Sequence, residues 1–357
     1  MLTINAGSSS LKAGLFDGDT RVASAEVERI GSGEVPDHAA ALDRALAELS
    51  SNGRTFDAVS HRVVHGGARF SAPQLIDRPL LDELRRLIPI DPNHLPQALS
   101  LIDRISRRYP ELPQVACFDT AFHRTLPRVA QMYALPPRFW DAGVRRYGFH
   151  GLSCEFILDS LRAIDPAAAA GRVIVAHLGN GASMTAIHAG QSIDTTMGFS
   201  PAGGLVMGTR LGDVDPSVLL FALQQERLDG EALSRLVNAD AGLQGVSQTG
   251  HDMRDLLARE GTDPRAADAV ALFCYTARKH LGALIATLGG LDLLIFTGGI
   301  GEHAAPVRER ICAGLEALGI TPAKVRVMKT DEDRMLARHA ARVLRDRVLQ
   351  AKGDDHV

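Results

Sequence analysis

Cysteine, aromatic residues and net charge are all scarce in this chain. Of its 357 residues four are Cys and one is Trp, 5% are aromatic, and the formal net charge at pH 7 is −3. The four cysteines are widely spaced and form no C-x-x-C pair, which indicates reduced, mostly buried thiols rather than a disulfide framework. The nearly balanced charge offers no basic field for nucleic acid or for an anionic membrane surface.

Long apolar runs and a targeting segment are also missing. The most apolar window, 281–300, is interrupted by Asp292 and five glycines, so it reads as the end of a helix, a turn and a strand rather than a membrane span. No basic and then apolar leader precedes the first strand-like run at Leu2. We therefore expect a cytoplasmic protein with neither a nucleic acid nor a membrane as its partner.

Four common catalytic signatures do not occur. There is no G-x-x-x-x-G-K-[ST] and no G-x-G-x-x-G after a strand, which disfavours a P-loop NTPase and a Rossmann dehydrogenase. Cys and His residues lack the spacing of a zinc site, and no G-x-S-x-G elbow is present. Metalloprotease and serine hydrolase chemistry therefore have no support.

What the chain does have is a regular alternation of strand-like and helical segments. Strands are predicted at 2–4, 12–16, 58–64, 114–118, 173–177, 183–187 and 291–297. Helices are predicted at 39–49, 80–87, 95–108, 153–164, 216–225, 268–288, 306–318 and 331–349. This alternation predicts an α/β fold, and the length favours two domains.

Glycine-rich turns follow apolar strands at three places, in segments 5–12, 177–183 and 295–302. The backbone N–H groups of such a bend can bind an anion, and Ser hydroxyls or a Lys add further donors. Each turn alone could equally be structural. Three turns of this kind in one chain favour nucleotide binding.

The first two of these turns resemble each other. MLTINAGSSSLKAGLFDG and VIVAHLGNGASMTAIHAG both read as an apolar strand, a polar residue, a Gly-rich turn and a second alternating strand. Gly7 matches Gly179, and Asn5 matches His177. The pattern predicts a duplicated α/β unit with one hairpin per domain facing a shared cleft, although a short similarity can also arise by chance.

Charged residues beside glycines are candidates for chemistry. Arg62 precedes Gly66-Gly67, and Arg210 lies between Gly208 and Gly212; each could bind a carboxylate or phosphate with two N–H groups, or form an ordinary surface ion pair. Asp119 ends an apolar strand, where it could bind Mg²⁺. His150 and His177 are further candidates, although a lone His is more often structural.

Seven ordered motifs resemble the acetate kinase family, within the group of acetate and sugar kinases, heat-shock chaperone ATPases and actin. They are NAGSSSLK (5–12), HRVVHGG (61–67), FDTAFH (118–123), RRYGFHG (145–151), HLGNGAS (177–183), MGFSPAGGLVMGTRLGDVDP (197–216) and FTGGIGE (296–302). The resemblance implies an α/β fold of two domains, each with a duplicated actin-like, ribonuclease H-like mixed sheet flanked by helices, and an active site in the cleft between them. It implies an N-terminal domain of 1–120 plus 332–357 and a C-terminal nucleotide-binding and dimerisation domain of 121–331.

The same resemblance implies direct in-line transfer of the ATP γ-phosphoryl group to a short carboxylate, giving an acyl phosphate and ADP. Acetate is the expected acid, with propionate or butyrate as alternatives. An alternative of another class is a non-catalytic ATP-binding protein of the same fold. The implied cofactor is Mg²⁺ or Mn²⁺, ATP is the co-substrate, and the implied assembly is a homodimer.

The resemblance also assigns residues. Asp119, Arg62, Arg210, His150 and His177 would be catalytic, with His150 and Arg210 stabilising the transition state. Arg62, Val64, Ile90, Phe149 and Pro201 would bind the acid, and Asn5 and Glu332, together with Asp119, would hold the metal. The nucleotide would contact Lys12, His177, Gly179, Asn180, Gly181, Asp252, Met253, Arg254, Gly299, Ile300 and Gly301.

The chain departs from the family pattern at a few positions. Asp91 stands where a His is usual and His94 follows three residues later, while Cys154 replaces a second His. Ala202-Gly203 replaces Leu-Glu, and His303 replaces Asn. The chain is also shorter than usual between Phe16 and Asp57. These departures bear on which acid is preferred, and they leave the two arginines, Asp119 and the two histidines in place.

Overall fold

The computed structural model describes residues 1–7, 10–31, 34–50 and 53–354. Ser8 and Ser9 of the first Gly-rich turn and the last three residues of the predicted segment 332–357 lie outside the described residues. The chain folds into two compact units. The first comprises Met1–Arg124, Gly151–Phe156 and the segment from Asp331 onward, and the second comprises Thr125–His150 and Ile157–Thr330. The domain assignment from the sequence, 1–120 with 332–357 and 121–331, stays a prediction.

The described residues form two mixed β-sheets. The first unit contains β1 (Leu2–Ala6), β2 (Ser10–Asp17), β3 (Thr20–Glu28), β4 (Val59–Val63), β5 (Gln74–Leu75) and β6 (Gln114–Phe118). The second unit contains β7 (Arg172–Leu178), β8 (Ala182–His188), β9 (Gln191–Thr195), β10 (Leu293–Thr297) and β11 (Val325–Val327).

The two sheets repeat one strand arrangement. In the first sheet the order is β3-β2-β1-β4-β6-β5. In the second sheet, listed from the corresponding side, the order is β9-β8-β7-β10-β11. In each unit the first strand pairs antiparallel with the second and parallel with a strand that follows a helical crossover. Asn5 and His177 are each the last but one residue of the first strand, and Gly7 and Gly179 follow it. This confirms the predicted α/β class and its duplicated core.

Fifteen helices are described along the chain. They are α1 (His38–Ser50), α2 (Arg78–Arg86), α3 (Leu95–Arg108), α4 (Arg128–Gln131), α5 (Pro137–Asp141), α6 (Gly151–Ile164), α7 (Pro166–Ala169), α8 (Pro216–Gln224), α9 (Gly230–Arg235), α10 (Gly242–Ser247), α11 (Met253–Arg259), α12 (Pro264–Leu288), α13 (Gly298–His303), α14 (Ala305–Cys312) and α15 (Glu332–Asp354). None of them is long and apolar enough to cross a membrane.

Each sheet is buried by helices of its own unit. In the first unit α15 packs on β1, β4 and β6, while α1 packs on β2 and β3. In the second unit the long helix α12 covers β7, β8 and β9. Strands β6, β8 and β10 are almost wholly buried, as expected of strands inside a sheet with a helical layer. The candidate residues Arg62, Asp119 and His177 lie at or directly after the carboxyl ends of their strands.

The structure differs from the sequence-based assignment at element ends. The predicted helix at 306–318 ends at Cys312, because Ala313 is extended and Gly314 adopts φ +75°. Helix α12 begins four residues before the predicted start, since the Asp263 side chain accepts hydrogen bonds from the backbone N–H groups of Arg265 and Ala266. Strands β3, β5, β9 and β11 have no counterpart in the prediction.

Candidate active site

In the first unit, Arg62 and Asp119 lie at the carboxyl ends of the neighbouring parallel strands β4 and β6. Arg62 donates from Nε and Nη2 to a single oxygen of Asp119, Oδ2, with an Nε–Oδ2 distance of 2.9 Å. The other oxygen, Oδ1, is buried and accepts no hydrogen bond from any residue in the described part of the chain. One carboxylate oxygen is therefore held by the guanidinium, while the second is left for another cation or donor.

Burial and charge together set the state of this pair. Burial would lower the pKa of Arg62, but the carboxylates of Asp119 and Glu332 outweigh it and raise that pKa. Burial raises the pKa of Asp119, and the Arg62 charge opposes that rise. The guanidinium therefore stays charged at every pH of interest and is fixed in orientation by its two N–H bonds.

An acidic cluster at the start of α15 adjoins this pair. Asn5 Nδ2 donates to Glu332 Oε2 at 3.1 Å and to Asp333 Oδ1 at 3.3 Å. Glu332 Oε2 is 3.9 Å from Arg62 Nε, and Arg21 contacts both Asp331 and Asp333. The structure therefore brings together four of the predicted residues of this unit, Asn5, Arg62, Asp119 and Glu332.

The other predicted residues of the first unit lie around this group. Lys12 is opposite Asn5 in the β1–β2 ladder, and its Nζ is 3.0 Å from Glu26 Oε1 on β3. Val64 is buried directly after β4. Ile90 is partly buried against an apolar cluster that includes Val63 and Phe118.

In the second unit two histidines stack face to face. The ring centroids of His150 and His177 are 4.2 Å apart, with an angle of 21° between the rings. His150 precedes α6 with φ +58°, an unusual conformation for a residue with a Cβ, and its Nδ1 is 2.8 Å from Ser183 Oγ. A non-Gly residue in this conformation, with its ring next to a buried hydroxyl, indicates a side chain whose direction matters.

Arg210 lies beside the turn that joins β7 to β8 and contains Gly181. A Cβ added to Gly181 would sit 3.2 Å from His150 Nε2 and 3.5 Å from Arg210 Nη1, so the missing side chain lets both groups approach the turn. Arg210 Nη1 also donates to the Pro201 carbonyl at 3.2 Å. Phe149 and Pro201 are buried in this unit. His150, His177 and Arg210 thus converge on the second hairpin.

The two Gly-rich turns of the second unit, at 177–183 and 295–302, are adjacent because β7 and β10 are parallel neighbours, with Thr297 opposite His177. A Cβ on Gly179 would be 3.9 Å from the Gly299 nitrogen. Gly298 has φ +78°, and a Cβ there would clash with the Leu178 carbonyl at 2.7 Å. The predicted nucleotide residues Gly179, Asn180, Gly181, Gly299, Ile300 and Gly301 therefore lie on one edge of the sheet.

Segment 252–254 has a mainly local role in this structure. The Asp252 side chain caps α11 by accepting from the Arg254 backbone N–H at 2.9 Å, and it also pairs with the Arg254 guanidinium. The Met253 side chain is buried, whereas Arg254 is largely exposed. His251, just before this cap, lies 3.2 Å from a Cβ added to Gly208, whose N–H donates to the Asn180 carbonyl.

Three groups at or near these clusters were given no role from the sequence. Ser183 holds His150, and Glu302 Oε1 accepts from the Gly298 backbone N–H at 3.1 Å. Asp91 and His94 form a buried pair before α3. Ser183 lies inside the motif HLGNGAS and Glu302 ends the motif FTGGIGE, so the signal was present; Asp91 and His94 stood out only as a departure from the family pattern. The described residues contain no group of three or more His, Cys, Asp or Glu side chains arranged to hold a metal.

Comparisons with known proteins fit this arrangement. The sequence model of the Acetokinase family matches residues 1–349. The chain belongs to the acetokinase family. It is 41% identical over 396 residues to the acetate kinase of Methylocella silvestris, covering 96% of this chain and 98% of that protein. It is 44% identical over 336 residues to the acetate kinase of Micrococcus luteus, covering 90% and 86%.

Solved structures of the acetokinase family share this fold. Acetate kinase from Porphyromonas gingivalis superposes with a TM-score of 0.85 at 34% identity, covering 96% of this chain and 99% of the other. A propionate kinase from Francisella tularensis superposes with a TM-score of 0.87 at 32% identity, covering 95% and 98%. The resemblance drawn from seven motifs is therefore confirmed, and the chain is a phosphotransferase of this family.

Proposed function

We propose that this chain catalyses reversible transfer of the ATP γ-phosphoryl group to acetate, giving acetyl phosphate and ADP. A carboxylate oxygen of acetate attacks the γ-phosphorus while the bond to the bridging oxygen of ADP breaks. Acetate is already an anion, so no proton has to be removed and catalysis rests on alignment and charge neutralisation. The observation that carries the proposal is the pair of arginine-containing clusters, Arg62 on Asp119 in one unit and Arg210 with His150 and His177 in the other.

These clusters suit different parts of the reaction. We assign Arg62 to the substrate carboxylate, because its guanidinium is charged and oriented by Asp119. We assign Arg210, His150 and His177 to the oxygens of the transferring phosphoryl group, where preorganised donors act on charge that develops in the transition state. Val64, Ile90, Phe149 and Pro201 are the proposed apolar contacts of the acetate methyl group.

A divalent cation, Mg²⁺ or Mn²⁺, fits the first cluster. Asp119 Oδ1 is buried without a hydrogen bond from the described residues, and the surrounding donors are carboxylate and amide oxygens of the kind Mg²⁺ prefers. Asp119 and Glu332, with Asn5, would hold the ion. When bound, it neutralises charge on the β- and γ-phosphates. Few protein ligands are expected, since Mg²⁺ at such sites keeps waters and binds substrate phosphates.

For the nucleotide we propose the Gly-rich edge of the second sheet. The Gly179–Gly181 and Gly299–Gly301 turns present backbone N–H groups on neighbouring parallel strands, and Ile300 lies between the latter two glycines. Segment 252–254 is the proposed neighbour of the base. Lys12 remains a proposed phosphate contact from the first hairpin.

The function is tested by incubating the purified protein with ATP, Mg²⁺, hydroxylamine and one acid at a time. Acetate should give an acyl hydroxamate and ADP with the highest kcat/KM, propionate should rank next, and butyrate last, because Val64 favours a small pocket. ATP binding without any hydroxamate would overturn the proposal and favour a non-catalytic nucleotide-binding protein. A higher kcat/KM with propionate would reassign the acid.

We also propose that the protein forms a homodimer through its second unit. Helix α8 exposes four large apolar side chains, Val218, Leu220, Phe221 and Leu223, each between 38 and 56% exposed. A short helix with this many exposed apolar groups is typical of a surface covered in an assembly.

Sedimentation velocity tests the homodimer. The wild type should sediment as a dimer, and Leu220→Asp together with Phe221→Glu should give a monomer. Leu349→Glu is the matched control, because Leu349 is an exposed apolar residue of α15 in the first unit. A wild type that is monomeric at micromolar concentration would refute the homodimer. A cytoplasmic location is proposed because Cys117, Cys154, Cys274 and Cys312 form no disulfide and because the proposed reaction uses ATP.

A further inference from the structure

Arg146, in the motif RRYGFHG, has no role so far, although its side chain joins two loops of the second unit. Its Nη1 lies 3.0 Å from the carbonyl oxygens of Thr195 and Thr196 and 3.3 Å from that of Met197. Its Nε donates to the Ala130 carbonyl at 3.2 Å. One guanidinium therefore binds three consecutive carbonyls of one loop and a carbonyl of the other.

Tyr133 adds a contact between the same two loops. Its Oη accepts a hydrogen bond from the Phe199 backbone N–H at 2.8 Å. A Cβ added to Gly198 would lie 2.2 Å from that oxygen, so the absence of a side chain there allows the close approach. The Gly198 carbonyl in turn accepts from the Tyr147 backbone N–H at 3.0 Å. The loop is thus bound through both its carbonyls and its N–H groups.

Regular secondary structure does not fix the path of this loop. Strand β9 ends at Thr195 and helix α8 begins at Pro216, so the backbone between them belongs to no helix or strand. Residues 195–198 are buried, where a carbonyl without a hydrogen bond would cost free energy. The bonds from Arg146 and its neighbours satisfy these carbonyls, and they therefore determine the path that the loop takes.

The loop leads directly to a contact with Arg210. Two residues after Phe199, the Pro201 carbonyl accepts a hydrogen bond from Arg210 Nη1 at 3.2 Å. Next to this bond, the Gly212 N–H donates to the Ala202 carbonyl at 3.0 Å, which ties the loop to the chain on the far side of the arginine. A change in the path of the loop would move the acceptor that orients the guanidinium.

We propose that Arg146 and Tyr133 are positioning residues for Arg210. They fix the loop whose Pro201 carbonyl accepts from the Arg210 guanidinium, and they thereby hold this guanidinium in the orientation that the transferring phosphoryl group requires. Neither side chain touches a substrate in this role. The inference rests on the function proposed above for Arg210.

The test is the coupling between substitutions in the full-length enzyme. Tyr133→Phe removes one oxygen, and Arg146→Lys keeps the charge but loses the planar set of N–H donors. Each should lower kcat about tenfold, the effect of one lost hydrogen bond, and leave KM for ATP within twofold of the wild-type value. In the background of Arg210→Ala, which alone removes most of the turnover, either substitution should lower kcat by less than a further twofold.

Two outcomes would overturn the inference. One is a normal kcat in Tyr133→Phe and Arg146→Lys. The other is a tenfold loss that recurs undiminished in the Arg210→Ala background, because a residue that acts only on general stability would act independently of the arginine. If Arg146→Lys does not fold, Tyr133→Phe decides the result alone. Normal turnover in Arg210→Ala itself would instead refute the role proposed for Arg210.

Arg172→Lys is the matched control in the same unit. Arg172 also binds a backbone carbonyl, that of Gly289, from Nη1 at 2.7 Å, and it pairs with Asp292. It begins strand β7, whereas His177 lies near the other end of that strand. Arg172→Lys should leave kcat and KM for ATP unchanged; a tenfold loss of kcat there would show that any guanidinium bound to backbone in this unit has the same effect, and it too would overturn the inference.

Discussion

At the scale of single residues, Arg210 should contribute most to turnover. Its guanidinium lies against the Gly181 turn beside His150, where it can donate to a transferring phosphoryl group. Arg210→Ala should lower kcat by two to three orders of magnitude, about 3 to 4 kcal/mol of transition-state stabilisation, and leave ATP affinity nearly unchanged. Steady-state kinetics and calorimetric titration with ATP measure the two effects.

The control for Arg210→Ala is Arg235→Ala in the same unit. Arg235 is exposed and pairs with Asp240 at 3.1 Å, and such surface pairs contribute little. Its loss should change kcat by less than twofold. If Arg210→Ala retains normal turnover, the assignment of Arg210 to the transition state is wrong.

Ser183 should matter through His150. Its hydroxyl is 2.8 Å from His150 Nδ1, and this hydrogen bond orients the ring that stacks on His177. Ser183→Ala should lower kcat about tenfold, the effect of losing one hydrogen bond of about 1.4 kcal/mol, with KM for ATP unchanged. Thr185→Val, two residues along the same strand, removes a buried hydroxyl that bonds Thr195 instead. It should alter thermal stability and not kcat; equal kcat losses in both variants would contradict a specific role for Ser183.

At the scale of elements, the turn between β10 and α13 depends on a glycine. Gly298 has φ +78°, and a Cβ there would meet the Leu178 carbonyl at 2.7 Å and His177 Cδ2 at 3.2 Å. Gly298→Ala should therefore destabilise the protein by at least about 1–2 kcal/mol from backbone strain alone and weaken ATP binding as the two turns separate. Urea unfolding and ATP titration measure this.

Gly230→Ala is the control for that turn, because Gly230 begins α9 and a Cβ there meets nothing within 4 Å. It should leave ATP affinity unchanged and should not destabilise the fold. Undiminished ATP affinity in Gly298→Ala would show that this edge of the sheet does not hold the nucleotide.

Strands inside each sheet could be predicted from the sequence, whereas strands at the sides of the sheets could not. Strands β1, β7 and β10 are apolar runs buried by helices, so their periodicity is strong. Strand β3 lies at the edge of its sheet with most side chains exposed, and its TRVASAEVE sequence carries little apolar signal. Strand β11 has only three residues, none of them buried, so it is too short to show a periodicity.

The candidate site also contains residues that the sequence identified and contacts that it did not. Arg62, Asp119, His177 and Arg210 sit beside Gly-rich turns or strand ends, so type and spacing identified them. The Asp91–His94 pair and the His150–Ser183 bond depend on how the backbone folds. The φ of +58° at His150 and the burial of the turn at 91–94 have no local sequence signature.

At the scale of the whole molecule, His61 should make stability depend on pH. It is buried in the core of the first unit, where burial lowers its pKa from 6.5 to about 4. Its Nε2–H donates to Gln114 Oε1 at 2.7 Å, and Gln114 in turn donates to Ser106 Oγ. The folded state therefore favours the neutral form of the His61 imidazole.

The direction of this pH dependence follows from the uptake of a proton on unfolding. Between pH 6.5 and 4 the unfolded chain protonates His61 and the folded protein does not, so the free energy of unfolding falls as pH falls through this range. The shift from 6.5 to about 4 corresponds to about 3 kcal/mol. Urea unfolding at a series of pH values should show the wild type losing about that much more than His61→Gln, which keeps a donor toward Gln114 but cannot titrate. His188→Gln removes an exposed histidine of β8 and should retain the wild-type slope; identical slopes for the wild type and His61→Gln would mean that the core accepts the charged imidazole.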